Sequence, residues 1–178
     1  MTTDELKALI RNVPDFPQAG IMFRDVTTLI GHGAGFSAAV GMLANKVAAT
    51  GAEAVAGIEA RGFIFGAAVA SQLSLPFVLV RKPGKLPVPV LAIDYALEYG
   101  TDTLEIDPDA VHEGQPVAIL DDLLATGGTA LAAAQLLRKA GAKVEHAFFL
   151  IDLPDLGGAA RLHQAGMEVH ALLDFPGH

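Results

Sequence analysis

Between residues 54 and 173 short apolar runs alternate with stretches whose apolar side chains recur every three or four positions. The runs Ala54 to Ile58, Pro76 to Val80, Val117 to Leu120, Val144 to Ile151 and Val169 to Leu173 predict buried strands. The helical spacing of Phe36, Val40, Leu43 and Val47 predicts a helix over Gly35 to Ala49. Further helices are expected through Phe63, Phe65 and Val69, over Ala130 to Lys139, and over Leu156 to Ala165. Ahead of this region, Asp4 to Asn12 reads as a short helix with Leu6, Leu9 and Ile10 inward. Pro14, Pro17 and Gly20 then interrupt regular structure, and Ile21 to Ile30 reads as an extended segment of mixed polarity. Val90 to Tyr99 and Thr103 to Ile106, joined through Gly100, predict a hairpin. Strands alternating with helices predict an α/β fold, a mostly parallel sheet with helices on both faces. No linker, repeat or low-complexity segment divides the chain, so 1–178 reads as one domain.

Composition narrows the classes. The chain has 178 residues, 52% hydrophobic and 18% charged, enough for one globular core and too apolar for a disordered chain. No apolar run reaches the roughly 18 residues of a membrane span. The start, Met1-Thr2-Thr3-Asp4-Glu5, lacks the basic region of a signal peptide. There is no Cys, which excludes disulfides and thiolate metal sites. Together these point to the cytoplasm and to no membrane association. The six His are scattered without metal-ligand spacing and read as surface or satisfied histidines. A net charge of −8 argues against general nucleic-acid binding.

The chemistry concentrates in one stretch. The apolar run from Val117 ends in Asp121 and Asp122, and three residues on, Thr126-Gly127-Gly128-Thr129 leads into a helix. A glycine loop entering a helix aims free N–H groups at one spot, where the helix dipole favours negative charge. Thr126 and Thr129 add hydroxyl donors, which makes a phosphate cradle. Ionised Asp121 and Asp122 would accept hydrogen bonds from ligand hydroxyls. A 5-phosphorylated ribose carries both features. The acidic pair could instead hold Mg²⁺ or stay solvated. The Lys of a Walker A loop and the G-x-G-x-x-G dinucleotide fingerprint are both missing. An acidic protein that binds a polyanion needs local positive charge. Of 12 Lys and Arg, four (Arg61, Arg81, Lys82 and Lys85) follow two predicted strand ends. In a parallel sheet these loops and the Asp-Asp loop share one edge, where ligands bind.

Four apolar residues, two Asp and Thr-Gly-Gly-Thr resemble the phosphoribosyl-pyrophosphate (PRPP) motif of the type I phosphoribosyltransferases. Further stretches resemble the adenine-using branch, in unchanged order over nearly the whole chain. They are Asp15-Phe16-Pro17, Gly20 to Thr27, Glu59-Ala60-Arg61-Gly62-Phe63, Arg81 to Pro87, and Leu97-Glu98-Tyr99-Gly100. The resemblance implies transfer of the 5-phosphoribosyl group from PRPP to adenine, giving AMP and pyrophosphate in purine salvage. It implies Mg²⁺ carried mainly by PRPP and water, with no dedicated protein ligands, and a homodimer. It implies a small N-terminal hood (1–30), where backbone groups of Met22 and Arg24 read the base and Phe23 packs on it. It implies a flexible hairpin flap (84–106) that supplies Glu98 for proton transfer beside Tyr99. Asp121 and Asp122 would hold the ribose hydroxyls. Ala125, Thr126, Gly127, Gly128 and Thr129 would bind the 5-phosphate, and Arg61, Arg81 and Lys85 the pyrophosphate. The apolar Val88 to Ile93 departs from many bacterial members and would suit packing on a partner subunit. The alternatives are a transferase for another purine base and a non-catalytic PRPP-sensing regulator.

Overall fold

The computed structural model describes residues 1–97 and 100–177. Helix α1 (Thr3–Ala8) opens with a reciprocal cap: Glu5 N–H donates to the Thr2 hydroxyl at 3.2 Å, and Thr2 N–H donates to the Glu5 carboxylate at 2.7 Å. The helix is shorter than its sequence pattern suggests. Arg11 and Asn12 belong to strand β1 (Arg11–Pro14), antiparallel to β2 (Met22–Asp25). Cross-strand partners explain the change. Arg11 pairs with Asp25 at 2.5 Å, and Arg24 Nη1 donates to Asn12 Oδ1 at 2.6 Å.

The extended reading of Ile21 to Ile30 holds only as far as Asp25. The Asp25 carboxylate accepts from Thr27 N–H at 2.9 Å and from its hydroxyl at 2.8 Å, a local turn that starts helix α2 (Thr27–Ile30). Helix α3 (Gly33–Ala48) then buries Val40, Leu43 and Val47 on one stripe, as its periodicity predicts.

Strand β3 (Ala54–Ile58) is buried throughout. It is followed by α4 (Arg61–Leu73), β4 (Phe77–Val80), and the hairpin of β5 (Leu91–Ala96) and β6 (Thr101–Ile106). The chain continues through β7 (Pro116–Leu124), α5 (Gly128–Lys139), β8 (Lys143–Asp152), α6 (Gly158–Gln164) and β9 (Glu168–Asp174). The central sheet has the order β4-β3-β7-β8-β9, and every pair in it is parallel. Helices α3 and α4 cover one face, over Val55, Leu120 and Phe148. Helix α5, with Leu104 and Ile106 of the hairpin, covers the other, over Ile119 and Phe149.

Two features position the site. The order reverses between β3 and β7: β3 leads outward to β4, while β7 leads the other way to β8. The turns after β3 and β7 therefore flank a crevice beyond the strand ends. In addition, β7 does not stop at its two carboxylates. Asp121 pairs with Phe149, and the ladder runs on to Leu124 opposite Asp152. The apolar pattern continues in Leu123 and Leu124, the latter buried, so the acidic pair lies inside the strand.

Candidate active site

A cavity of about 300 Å³ opens at this crevice. Its walls come from the end of β3 and its turn (Ile58 to Arg61), from β7 with its glycine loop (Asp121 to Ala130), and from Lys82 and Phe149. Gly127 enters α5 with φ +78°, which favours glycine. A Cβ there would also meet the Gly158 carbonyl oxygen at 3.0 Å, so the start of α6 backs the loop.

Charges in the cavity are arranged in pairs. Arg61, the first residue of α4, donates from Nε to the Asp122 carboxylate across the crevice. Asp122 is 5% exposed, so this pairing compensates a buried charge. Asp121 lies beneath the start of α4, where a Cβ on Gly62 would fall 2.8 Å from Asp121 Oδ1. Its carboxyl accepts from Asp122 N–H at 2.9 Å. Burial, and then the neighbouring Asp122 charge, push the Asp121 carboxyl well above the ordinary carboxylate range.

Glu59 organises the basic loop. It pairs with Lys85, lies 3.4 Å from Arg81 Nε and accepts from Lys82 N–H at 2.8 Å. Burial alone would raise its pKa, but these partners outweigh that and hold it below its ordinary value. Lys82 Nζ pairs with Asp102 on β6 and reaches the Tyr95 hydroxyl on β5 at 3.2 Å, tying the hairpin to the cavity wall.

The phosphoribosyl transferase domain family matches residues 30–161. Adenine phosphoribosyltransferase of Novosphingobium aromaticivorans is 68% identical over 178 residues, the whole of both chains. The chain belongs to the adenine phosphoribosyltransferase family. The crystal structure of adenine phosphoribosyltransferase from Thermoanaerobacter pseudethanolicus superposes with a TM-score of 0.93 at 46% identity, covering 98% of this chain and all of that one. The enzyme from Giardia lamblia, complexed with 9-deazaadenine, superposes with a TM-score of 0.93 at 33% identity, covering 100% and 99%.

Within this adenine phosphoribosyltransferase fold, the structure gathers Arg61, Asp121, Asp122 and Ala125, Thr126, Gly127, Gly128 and Thr129 around one cavity. Arg81 and Lys85 stand one step back, on the Glu59 that lines it. Phe23 reaches the site through Arg61, whose guanidinium lies 5.8 Å from its ring centroid. The Arg24 side chain is turned elsewhere, toward Asn12, the Pro176 carbonyl and the Phe175 ring. Met22 lies in β2 opposite Pro14. Glu98 and Tyr99 lie outside the described residues.

Sequence reasoning missed three contributors. The sequence places Glu59 in a loop at the ligand edge of the sheet but gives it no role, although a carboxylate between a buried strand and an Arg is itself a signal. Asp102 carries no local mark. Arg161 of α6 places Nη1 3.3 Å from where a Cβ on Gly128 would stand, a proximity set by tertiary packing alone.

The donor set bears on Mg²⁺. The two adjacent carboxylates face the cavity, but Asp122 is already engaged by Arg61. This suits an ion that keeps its waters and arrives on substrate phosphates, and it does not provide an all-protein cage.

Proposed function

We propose that the chain transfers the 5-phosphoribosyl group of PRPP to adenine, releasing pyrophosphate and forming AMP. The observation that carries this reading is the shared cavity at the sheet's reversal point, in which a glycine loop at a helix start, an acidic pair and an Arg meet. Membership of the adenine phosphoribosyltransferase family supports adenine over other bases. The loop from Ala125 to Thr129 would hold the 5-phosphate through backbone N–H groups and hydroxyls. Asp121 and Asp122 would accept from the ribose hydroxyls.

In the reaction the bond from the anomeric carbon to pyrophosphate breaks, a bond to a ring nitrogen of adenine forms, and the nitrogen loses its proton. Arg61, Arg81 and Lys85 would stabilise the charge gathering on pyrophosphate. Each of these cations has a carboxylate partner, so diphosphate would bind by exchange with Glu59 and Asp122. Mg²⁺, bound with PRPP, would add further neutralisation of the leaving group. The N-terminal segment 1–30 would act as a hood, with Met22 and Arg24 offering backbone groups to the base and Phe23 its ring. The hairpin 84–106 would act as a flap, and its Glu98 would take the proton, with Tyr99 beside it. Exposed Val88 and Val90 suit burial against a second copy of the chain. No described helix is long and apolar enough to cross a membrane, and a cytoplasmic homodimer fits the reading.

A base panel tests it. With PRPP and Mg²⁺, pyrophosphate release is expected with adenine, and at no more than about 1% of that rate with guanine, hypoxanthine, xanthine, orotate or uracil, a gap of about 2.7 kcal/mol or more. Equal rates with hypoxanthine would overturn the assignment of the base. Binding of PRPP without release for any base would favour a sensor.

A further inference from the structure

The register of the two last strands assembles a group that the sequence scatters. His146 on β8 stands opposite Glu168 on β9, and His170 follows two residues along β9, on the same side as Glu168. His146 Nδ1 lies 3.2 Å from His170 Nε2 and 3.3 Å from Glu168 Oε2, and His170 Nε2 lies 3.9 Å from that oxygen. Among the described residues this is the one group of three His, Asp or Glu donors gathered so closely. A tetrahedral Zn²⁺ with bonds of about 2.0–2.1 Å sets its donors about 3.3–3.4 Å apart, close to the two spacings made by His146, while His170 and Glu168 at 3.9 Å would draw together by about 0.5 Å.

We propose that His146, Glu168 and His170 form a binding site for a divalent transition metal, Zn²⁺ being the best match, with water in the fourth position. Two imidazoles and one carboxylate select Zn²⁺ over the hard cations Mg²⁺ and Ca²⁺. Such an ion gives all three lone pairs a common acceptor, whereas a hydrogen-bonded trio needs a proton between the two facing nitrogens. The His170 ring is already oriented, stacked on Phe148 with centroids 4.6 Å apart and planes 12° apart. Both imidazoles ligate in the neutral form, and Lys46 of α3 lies within electrostatic reach of His170. Lys46 opposes a cation electrostatically, and Glu168 offsets it. The Glu168 side chain is 71% exposed, which leaves the site open to entry from solvent.

The site is separate from the transfer cavity. Phe149 borders that cavity, whereas His146 lies three residues earlier, about 10 Å along the strand, on the side that carries Phe148. A metal here would clamp edge strand β9 to β8, so it would act on stability and leave turnover unchanged.

The test uses the untagged full chain after chelator treatment, with Zn²⁺ titrated calorimetrically. One equivalent is expected to bind with Kd in the micromolar range or below, to resist excess Mg²⁺, and to raise Tm. Co²⁺ in its place is expected to give the visible absorption of a four-coordinate site. Glu168→Gln and His170→Gln are each expected to weaken Zn²⁺ binding by about tenfold or more, with adenine transfer unchanged. Because Glu168 is exposed, its variant decides the matter even if the His170 variant does not fold. Absence of stoichiometric binding to the wild type, or binding by Glu168→Gln equal to wild type, would overturn the proposal.

Discussion

Arg61 and Asp122 bind each other across the reversal point of the sheet: the first residue of α4 donates to a carboxylate inside β7. The pair joins the helix start and the strand that border the crevice from its two sides. It also places the acid's charge where an exchange of partners can occur. In the proposed reaction a ribose hydroxyl would take the place of the guanidinium on Asp122 while a phosphate would take the place of the carboxylate on Arg61.

Asp122→Asn removes the ionised acceptor and leaves Arg61 without its partner. Hydrogen bonds to charged groups contribute about 1.5–3 kcal/mol, so PRPP affinity is expected to fall about tenfold or more. Affinity for adenine alone is expected to change little. Separate calorimetric titrations with PRPP and adenine check this, and a loss confined to adenine would contradict the ribose assignment.

Asp121→Asn should separate stability from binding. Burial and Asp122 raise the Asp121 pKa in the folded protein. The folded state therefore holds its proton to higher pH than the unfolded chain, so stability falls as pH rises above the ordinary value. The Asn variant is expected to have a higher Tm at pH 7 and, by losing a hydroxyl acceptor, about tenfold weaker PRPP binding. Its advantage should shrink as pH falls through the raised pKa and vanish below the ordinary value of 3.8. A Tm at or below wild type at pH 7 would show that Asp121 carries no such penalty.

Gly62→Ala should strain the packing of α4 on β7. Its Cβ would stand 2.8 Å from Asp121 Oδ1 and 3.0 Å from the Leu120 carbonyl oxygen, and the backbone contact cannot rotate away. Overpacking of this kind costs about 1–3 kcal/mol. Denaturant unfolding is expected to show that loss, together with a lower kcat/KM because Arg61 and Asp121 shift. Unfolding at the wild-type midpoint would show that the helix start yields freely.

Glu98→Gln is expected to lower the single-turnover rate by roughly 10²–10⁴-fold, the range for a general acid–base. PRPP affinity should move far less, since the proposed role of the carboxylate is on the proton in flight and not on the bound sugar phosphate. A single-turnover rate within about threefold of wild type would remove Glu98 from the chemistry.

The parallel core was legible because its physics is local. A buried β3 must be a continuous apolar run, and α3 must repeat its apolar residues with the helical period, so Ala54–Ile58 and the stripe of Val40, Leu43 and Val47 could be read directly. The order of strand, acidic pair, glycine loop and helix from Val117 to Lys139 was legible for the same reason, since these parts are contiguous in the chain. Where long-range partners compete with local pattern, the sequence misled. Arg11 and Asn12 left α1 for cross-strand bonds to Asp25 and Arg24, and β7 ran on past its carboxylates because β8 continued to pair with it. Tertiary structure alone decided that Arg61, Arg81, Lys82 and Lys85 each find a carboxylate, that Glu59 engages Arg81, Lys82 and Lys85 of the basic loop, and that His146, Glu168 and His170 meet. Those groupings depend on strand register and on the reversal of the sheet, which bring distant residues within a few ångströms and leave no periodic trace in the chain.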